Sequence, residues 1–419
     1  MHQTSSHFSH SIMSTSNHKR QRTVLQPPCQ NDTLLLNTTT QRSVPLLPEE
    51  LMVEILSRLP VKSLGQFCCV SKHWKSIIST SDFIKYHLHR SATEFLHHRL
   101  LGSDVLGIGL RFSRSLRSLI DNPSPSPPLF DENPQFKILY FCTLIVGSCN
   151  GLICWLNYFR EYEDHNIHYL NPLTRVESES PRFHHRKGDL TCFTVFGFGY
   201  DHVSDRYKTV AIYCDPKAKK TIARVYTLGG ENCWRKIKSF PFIPRWSSAS
   251  YTNRCGKFVS GTLNWLATNP NDRGSLIVAS VDIGNETCVE ILLPSVVKLQ
   301  LNSRPKLWVL GGCLCFSYNF NDIHFDLWQM KVHGVVDSWT KLITISYMDF
   351  GMDHCFHNYP RPFFILEKGE ILLQINHHGA FIIYNPRLKS FQSLWLESNN
   401  IIFEGTTHIE SLVSPCPIL

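Results

Sequence analysis

These 419 residues carry none of the spacings that announce a metal site, a phosphate loop or a membrane-spanning helix. Fifteen cysteines are present, but Cys68-Cys69 and Cys313-Leu-Cys315 lack the paired spacing by which zinc sites are read. No apolar leader is expected: the first forty-odd residues are mainly Ser, Thr, His, Gln and Asn, with few aliphatics. The cysteines therefore read as reduced thiols serving as small core residues, in a protein of the cytoplasm and/or nucleus. Gly197-Phe-Gly199 lacks the third glycine and the following helix of a dinucleotide cradle. The histidine pairs His97-His98, His184-His185 and His377-His378 would point to opposite faces of a strand and chelate nothing together. No catalytic residue, metal or cofactor is expected. Charge is sparse as well, 18% of residues, with 42 basic against 34 acidic side chains and a net +8. The excess is dispersed, with small knots at Lys217, Lys219, Lys220 and at Arg186, Lys187, unlike the basic face of a nucleic-acid binder. The one run approaching membrane length, Ile138 to Leu156, has Asn150-Gly151 inside it, which predicts a β-hairpin. Neither nucleic acid nor membrane is an expected partner.

Aromatic residues are plentiful: 26 Phe, 14 Tyr and 9 Trp within a 42% hydrophobic composition lean towards strands. Residues 1–43 are too polar to offset ordering entropy and read as a disordered tail, with a weak basic cluster at Lys19, Arg20 and Arg22. Character changes between residues 44 and 90. Leu51, Ile55, Leu56 and Leu59 recur at helical spacing, with Pro48, Glu49 and Glu50 suited to a first turn and Pro60 to a stop. Ser63 and Ser71 are candidate caps for a second and third short helix, carrying Leu64, Phe67 and Cys68, then Trp74, Ile77 and Ile78. So small a unit buries little core, and its apolar face is a docking surface. The run Asn122-Pro-Ser-Pro-Ser-Pro-Pro128 predicts an exposed connection.

From about residue 137 the pattern becomes one of short alternating apolar runs. They repeat loosely. Ile167-His-Tyr-Leu-Asn-Pro-Leu-Thr-Arg175 returns in altered form from Val225, Val281, Gln329 and Ile383. With Tyr169, Tyr226, Asp282, Met330 and Tyr384 as markers, the steps are all near fifty residues. A glycine opening an apolar strand precedes several of them, at Gly151, Gly261, Gly312 and Gly369. This spacing, at about four strands each, is that of a propeller blade. One more step back lands near Phe112, giving about six blades, or seven, across residues 91–416.

Leu47-Pro-Glu-Glu-Leu-Met-Val-Glu-Ile-Leu-Ser-Arg-Leu-Pro-Val-Lys-Ser-Leu64, followed by Val70-Ser-Lys-His-Trp-Lys-Ser-Ile77, resembles the three-helix F-box. Gln66-Phe-Cys-Cys69 departs from it where similar proteins carry basic residues. Gly147-Ser-Cys-Asn-Gly-Leu-Ile153, Asn171-Pro-Leu-Thr-Arg175, Phe196-Gly-Phe-Gly-Tyr-Asp201, Ser338-Trp-Thr-Lys341 and Glu410-Ser-Leu-Val-Ser414 are similar to the F-box-associated, kelch-type repeat domain of plant F-box proteins. The resemblance implies a mainly β protein with a small N-terminal α domain. It also implies a Skp-type adaptor and, through it, a cullin as partners, and a target protein held by the propeller for ubiquitination. Adaptor contacts are expected at Leu47, Pro48, Leu51, Ile55, Leu56, Leu59, Pro60, Leu64, Val70 and Trp74, some of which must instead hold the helices together. Recognition of the target is expected on loops at one end of the ring, with candidates Arg182, His184, Arg186, Trp246, Tyr251, His357 and Tyr359. An interaction adaptor without ubiquitin transfer is the alternative. A propeller enzyme would need Tyr, His and Cys converging on the channel, which no motif announces.

Overall fold

The computed structural model describes residues 47–416 apart from 105–109, 122–142, 158–163, 185–191, 246–253, 273–274, 298–302, 322, 351–359, 376–379 and 396–402. The expected tail, its basic cluster and the proline-rich connection lie outside the described residues.

Three short helices come first: α1 Glu49–Leu56, α2 Val61–Val70 and α3 Lys72–Ile78. Pro48 and Pro60 each precede a helix in extended geometry, so their missing N–H groups fall where none is needed. Pro60 thus starts α2, and Ser63 lies inside that helix rather than capping it. Ser71 caps α3, its side chain accepting a bond from the Trp74 N–H at 3.3 Å. A fourth and longer helix, α4 Ser81–Thr93, continues from them, capped by Thr80 on the Phe83 N–H at 3.2 Å. Met52, Leu56, Leu64, Ile77, Ile78 and Phe83 form the small helical core.

The remaining described residues make six antiparallel sheets of three to five strands, besides one pair of two-residue strands, Asp164–His165 with Phe183–His184. The second contains Thr143–Cys149, Leu152–Asn157, Ile167–Asn171 and Val176–Glu179. The third contains Phe193–Asp201, Arg206–Asp215, Lys220–Thr227 and Arg235–Lys236. In the fourth, Ile243–Pro244 and Lys257–Val259 both pair with Thr262–Thr268, followed by Leu276–Asp282 and Cys288–Leu292. The fifth runs Lys306–Leu310, Cys313–Phe320, His324–Met330, Trp339–Ser346, and the sixth Arg361–Ile365, Ile371–Gln374, Ala380–Asn385, Ser390–Trp395. The first sheet is composite: His98–Asp104 pairs on one side with Leu110–Ser115 and on the other with the distant strand Phe403–Ile409. The five repeat markers all lie on third strands, and Phe112 sits on the third strand of the first sheet. Positive φ at Asn150-Gly151 and again at Ser260-Gly261 turns a first strand into a second, as a two-residue hairpin requires.

Successive side chains on a strand face opposite ways, so each sheet feeds two seams. Leu101 of the first sheet meets Ile153, Trp155 and Leu170 of the second. Further clusters fill the seams between the second and third, third and fourth, fourth and fifth, and fifth and sixth sheets. Leu372 then faces Leu100 of the first sheet and Leu116 and Leu119 of the short helix Leu116–Asp121 that follows it, while Leu373 faces the fifth. The ring closes on itself as a six-bladed propeller. Cys154, Cys214 and Cys315 sit fully buried in these seams, where desolvation pushes their thiols up, so they pack as inert small residues.

One buried ion pair stitches the third sheet to the fourth. The Lys208 ammonium donates to Asp201 and to the Ile283 carbonyl, both at 2.8 Å. Burial opposes the charge on Asp201, but Lys208, the Ser204 hydroxyl and the Val203 N–H outweigh it and hold the carboxyl at about 2.

Leu372→Ala and Leu373→Ala, neighbours facing different seams, should each lower stability by about 2–5 kcal/mol in chemical denaturation. Leu388→Ala, at a side chain 75% exposed, should change it by less than about 0.5 kcal/mol. Because the folded pKa of Asp201 lies below the unfolded value, its contribution is complete above the usual carboxylate range and is lost as pH falls. The stability gap between wild type and Asp201→Asn, about 2 kcal/mol at neutral pH, should close between about pH 4 and pH 2 in thermal melts.

Candidate interaction surfaces

The helical unit presents an apolar edge. Leu51 and Ile55, one turn apart on α1, are 51% and 53% exposed, and Val70 at the end of α2 is 75% exposed. Leu47, Pro48 and Pro60 are exposed as well. Leu56 and Leu64, which the spacing also offered as contacts, are core residues instead, 3% and 0% exposed. The reason is geometric: both face the inside of the helix cluster, against Ile77, Ile78 and Phe83. Leu59 and Trp74 are half-buried against that core, the Trp74 ring lying 4.9 Å from that of Phe67.

Glu54, on the same helix as Leu51 and Ile55, gathers a polar rim. It accepts from Arg58 just beyond the end of its own helix, from the Tyr86 hydroxyl at 2.9 Å and from Arg90 at 3.2 Å. The Arg58 guanidinium in particular holds the Glu54 carboxyl down at about 2. Since Tyr86 and Arg90 belong to α4, this carboxylate ties the first helix to the last. His87 of α4 makes a second tie, with Nε2 2.9 Å from the Leu59 carbonyl and Nδ1 3.3 Å from the Ser91 hydroxyl.

The helices are fused to the ring. Ile84 and Leu88 of α4 pack against the seam between the second and third sheets, and Lys85 pairs with Asp205 at 2.6 Å. The segment after Phe403–Ile409 runs between the two bodies. Leu412 enters the helical core and Val413 the propeller seam. Asn171 is fully engaged there: its Nδ2 donates to the carbonyls of Ser411 (2.9 Å) and Val413 (2.7 Å). Its Oδ1 accepts from the Leu173 and Thr174 N–H groups, shaping the turn that Arg175 closes with positive φ. No side chain fits beside it at Gly151, where a Cβ would stand 2.1 Å from the Ser411 hydroxyl.

Strand direction assigns the two ends of the ring. First-to-second and third-to-fourth turns lie at the end carrying the helices, because His98 follows α4 directly. Second-to-third turns and sheet-to-sheet connections lie at the other. Arg182 leaves the second sheet at that far end and is exposed; His184 lies on a two-residue strand, Phe183–His184, paired with Asp164–His165. Arg186, Trp246, Tyr251, His357 and Tyr359 lie outside the described residues. The strand ends flanking 185–191 and 351–359 belong to the far end, while 246–253 interrupts the first strand of the fourth sheet.

A family model described as the F-box associated beta propeller domain matches residues 119–412. The chain belongs to that family. An F-box domain model matches residues 44–86, the segment of α1 to α3 and the start of α4. The F-box/kelch-repeat protein At3g23880 of Arabidopsis thaliana is 27% identical over 372 residues, 88% of this chain and 96% of that protein. F-box protein CPR1 of the same plant is 26% identical over 393 residues, covering 88% and 89%. F-box protein At3g07870 is 26% identical over 422 residues, covering 87% and 91%.

The parts of this F-box protein that sequence reasoning left unassigned are those joining its two bodies. Asn171 and Leu412 both stand inside motifs that were legible, but nothing local indicates that they meet. Asn171→Leu should leave two buried carbonyls unpaired and cost about 1–3 kcal/mol. It should also make the chain beyond Glu410 susceptible to limited proteolysis, read by mass spectrometry of the fragments.

Proposed function

We propose that this protein is the substrate-receptor subunit of a Skp–cullin–F-box ubiquitin ligase, binding the Skp-type adaptor through its F-box and a target protein through its propeller. The observation that carries the reading is the exposure of Leu51, Ile55 and Val70 on a helical unit that already has a packed core of its own in Met52, Leu56, Leu64, Ile77, Ile78 and Phe83. Large aliphatic side chains left in water, with the charged Glu54–Arg58–Arg90 rim beside them, have the make-up of an interface centre and its border. F-box domains bind Skp-type adaptors, which gives that edge its occupant.

Such a subunit performs no bond chemistry, and members of the F-box/propeller family are typically non-catalytic adaptors. It acts by raising effective concentration, holding target lysines near a ubiquitin thioester carried by another protein. That requires a fixed relation between the two binding ends. Leu412, Val413, the Lys85–Asp205 pair and the α4 packing supply it. Work in the cytoplasm and/or nucleus accords with the described cysteines, all of which are free thiols.

Leu51→Asp combined with Ile55→Asp should reduce capture of a purified Skp-type adaptor by at least about tenfold in calorimetry, given that two central apolar anchors are replaced by charge. The thermal midpoint should stay near wild type, because both side chains are already in water. Undiminished adaptor binding by this variant would overturn the assignment of the edge. Adaptor binding without cullin-dependent turnover of any partner would reduce the role to assembly alone.

A further inference from the structure

Histidines gather where the helical unit, the first sheet and its closing strand Phe403–Ile409 meet. His87 of α4, His97 of the short turn Phe95–His97 and His408 of the closing strand are buried, and His98 opens the first sheet beside them. The His87 and His97 rings stand edge to face with their centroids 5.9 Å apart. His97 also holds the chain just beyond the closing strand, its carbonyl accepting from the Glu410 N–H at 2.9 Å. The His98 ring packs edge-on at 4.8 Å from Phe364 of the sixth sheet. His408 lies opposite Arg99 in the strand pairing, and neither of its ring nitrogens meets a hydrogen-bond partner among the described residues.

A proton is costly at these places. Burial lowers the pKa of His87, and its Nε2 is already spent on the Leu59 carbonyl. The other charged or titratable groups acting on His87 are His97, Glu94 and Glu410. His97 opposes a positive charge there. Both carboxylates favour one but are engaged: Glu94 lies 3.3 Å from Arg90 and 3.4 Å from His97, and Glu410 lies 2.8 Å from Arg99. Burial also lowers His98, with His97 adding to the effect against the Ala92 carbonyl. On His408 burial acts first, then the charges of Arg99 and His98, and together they hold it down at about 3.

Opening the joint returns these rings to water, where imidazole takes a proton near a pKa of about 6.5. Because the folded values lie below that, proton uptake favours the open form. The closed joint has its full strength above about pH 6.5 and loses it as pH falls towards the folded values.

We propose that this joint is an acid-sensitive latch: between neutral and mildly acid pH, proton uptake at His408 and His87 releases the closing strand from the first sheet and α4 from the ring. The carboxylates described above act elsewhere on the scale, since Asp201 and Glu54 are both held at about 2. Leu51 and Ile55 bear no titrating group, so the exposed edge of the helices survives the release while its fixed relation to the ring is lost. The latch needs only the packing of the two bodies and stands apart from the receptor role.

The test follows amide hydrogen exchange of the full chain by mass spectrometry between about pH 7.5 and about pH 5.5, with rates corrected for the intrinsic pH dependence of exchange. One buried imidazole whose folded pKa is far below 6.5 multiplies the opening constant about tenfold over that range. The closing strand Phe403–Ile409 should show this rise in wild type, and α4 should rise with it. His408→Leu removes a ring that makes no hydrogen bond, so it should fold and cut the rise in the closing strand to about threefold or less. His87→Gln should do the same for α4. His202→Gln, at an exposed position on the third sheet, should leave both rises intact. A flat wild-type profile in either segment overturns the latch, whether or not the variants fold. So does a closing strand in His408→Leu that responds as steeply as wild type. An equal rise in the fifth-sheet strand His324–Met330 would mean general acid unfolding and overturn it too.

Discussion

The pairing of His98–Asp104 with Phe403–Ile409 is the constraint on which the rest of the molecule depends. Strands about 300 residues apart meet along seven aligned positions, with no covalent link between them. Closing so long a loop is entropically costly but grows only slowly with length, and two packed seams follow once the strands meet. Leu100 then completes the seam with the sixth sheet, Leu101 that with the second. Arg99 anchors the exit of the closing strand through Glu410 at 2.8 Å. Everything beyond Glu410, including Leu412 in the helical core, is placed by that register.

This dependence explains how a helical unit whose core cluster has only six buried apolar residues holds its shape. It borrows Leu412 from the far end of the chain and rests Ile84 and Leu88 on the propeller. The F-box is less an appendage than a seventh contact of the ring. The receptor role proposed above would need this, because a freely jointed helical unit would dilute the effective concentration that a fixed geometry provides.

The repeating architecture was legible because each blade repeats a local grammar. Tyr169, Tyr226, Asp282, Met330 and Tyr384 mark the same strand of successive sheets, and Asn150-Gly151 turns where its dipeptide says it should. That Leu51 and Ile55 share one helical face was legible from their spacing. Leu56 shares that spacing and Leu64 follows on α2, and only the packing of α3 and α4 decides that they face inward. The pairing of the closing strand, the split first strand of the fourth sheet and the meeting of Asn171 with Ser411 were not legible. Each is a contact across a large sequence separation, and no residue type or period encodes its partner.

A composite first blade also sets an order of events at the ribosome. The helices emerge early, while Phe403–Ile409 appears about 300 residues after His98–Asp104, an interval of about 15–60 s at ordinary elongation rates. Throughout that interval the exposed edge of Leu51 and Ile55 is outside the ribosome, while the ring is an open arc with its first-sheet seam bare. The helical edge is thus complete before the ring is, and the delay is written into the permuted ends of a single sheet.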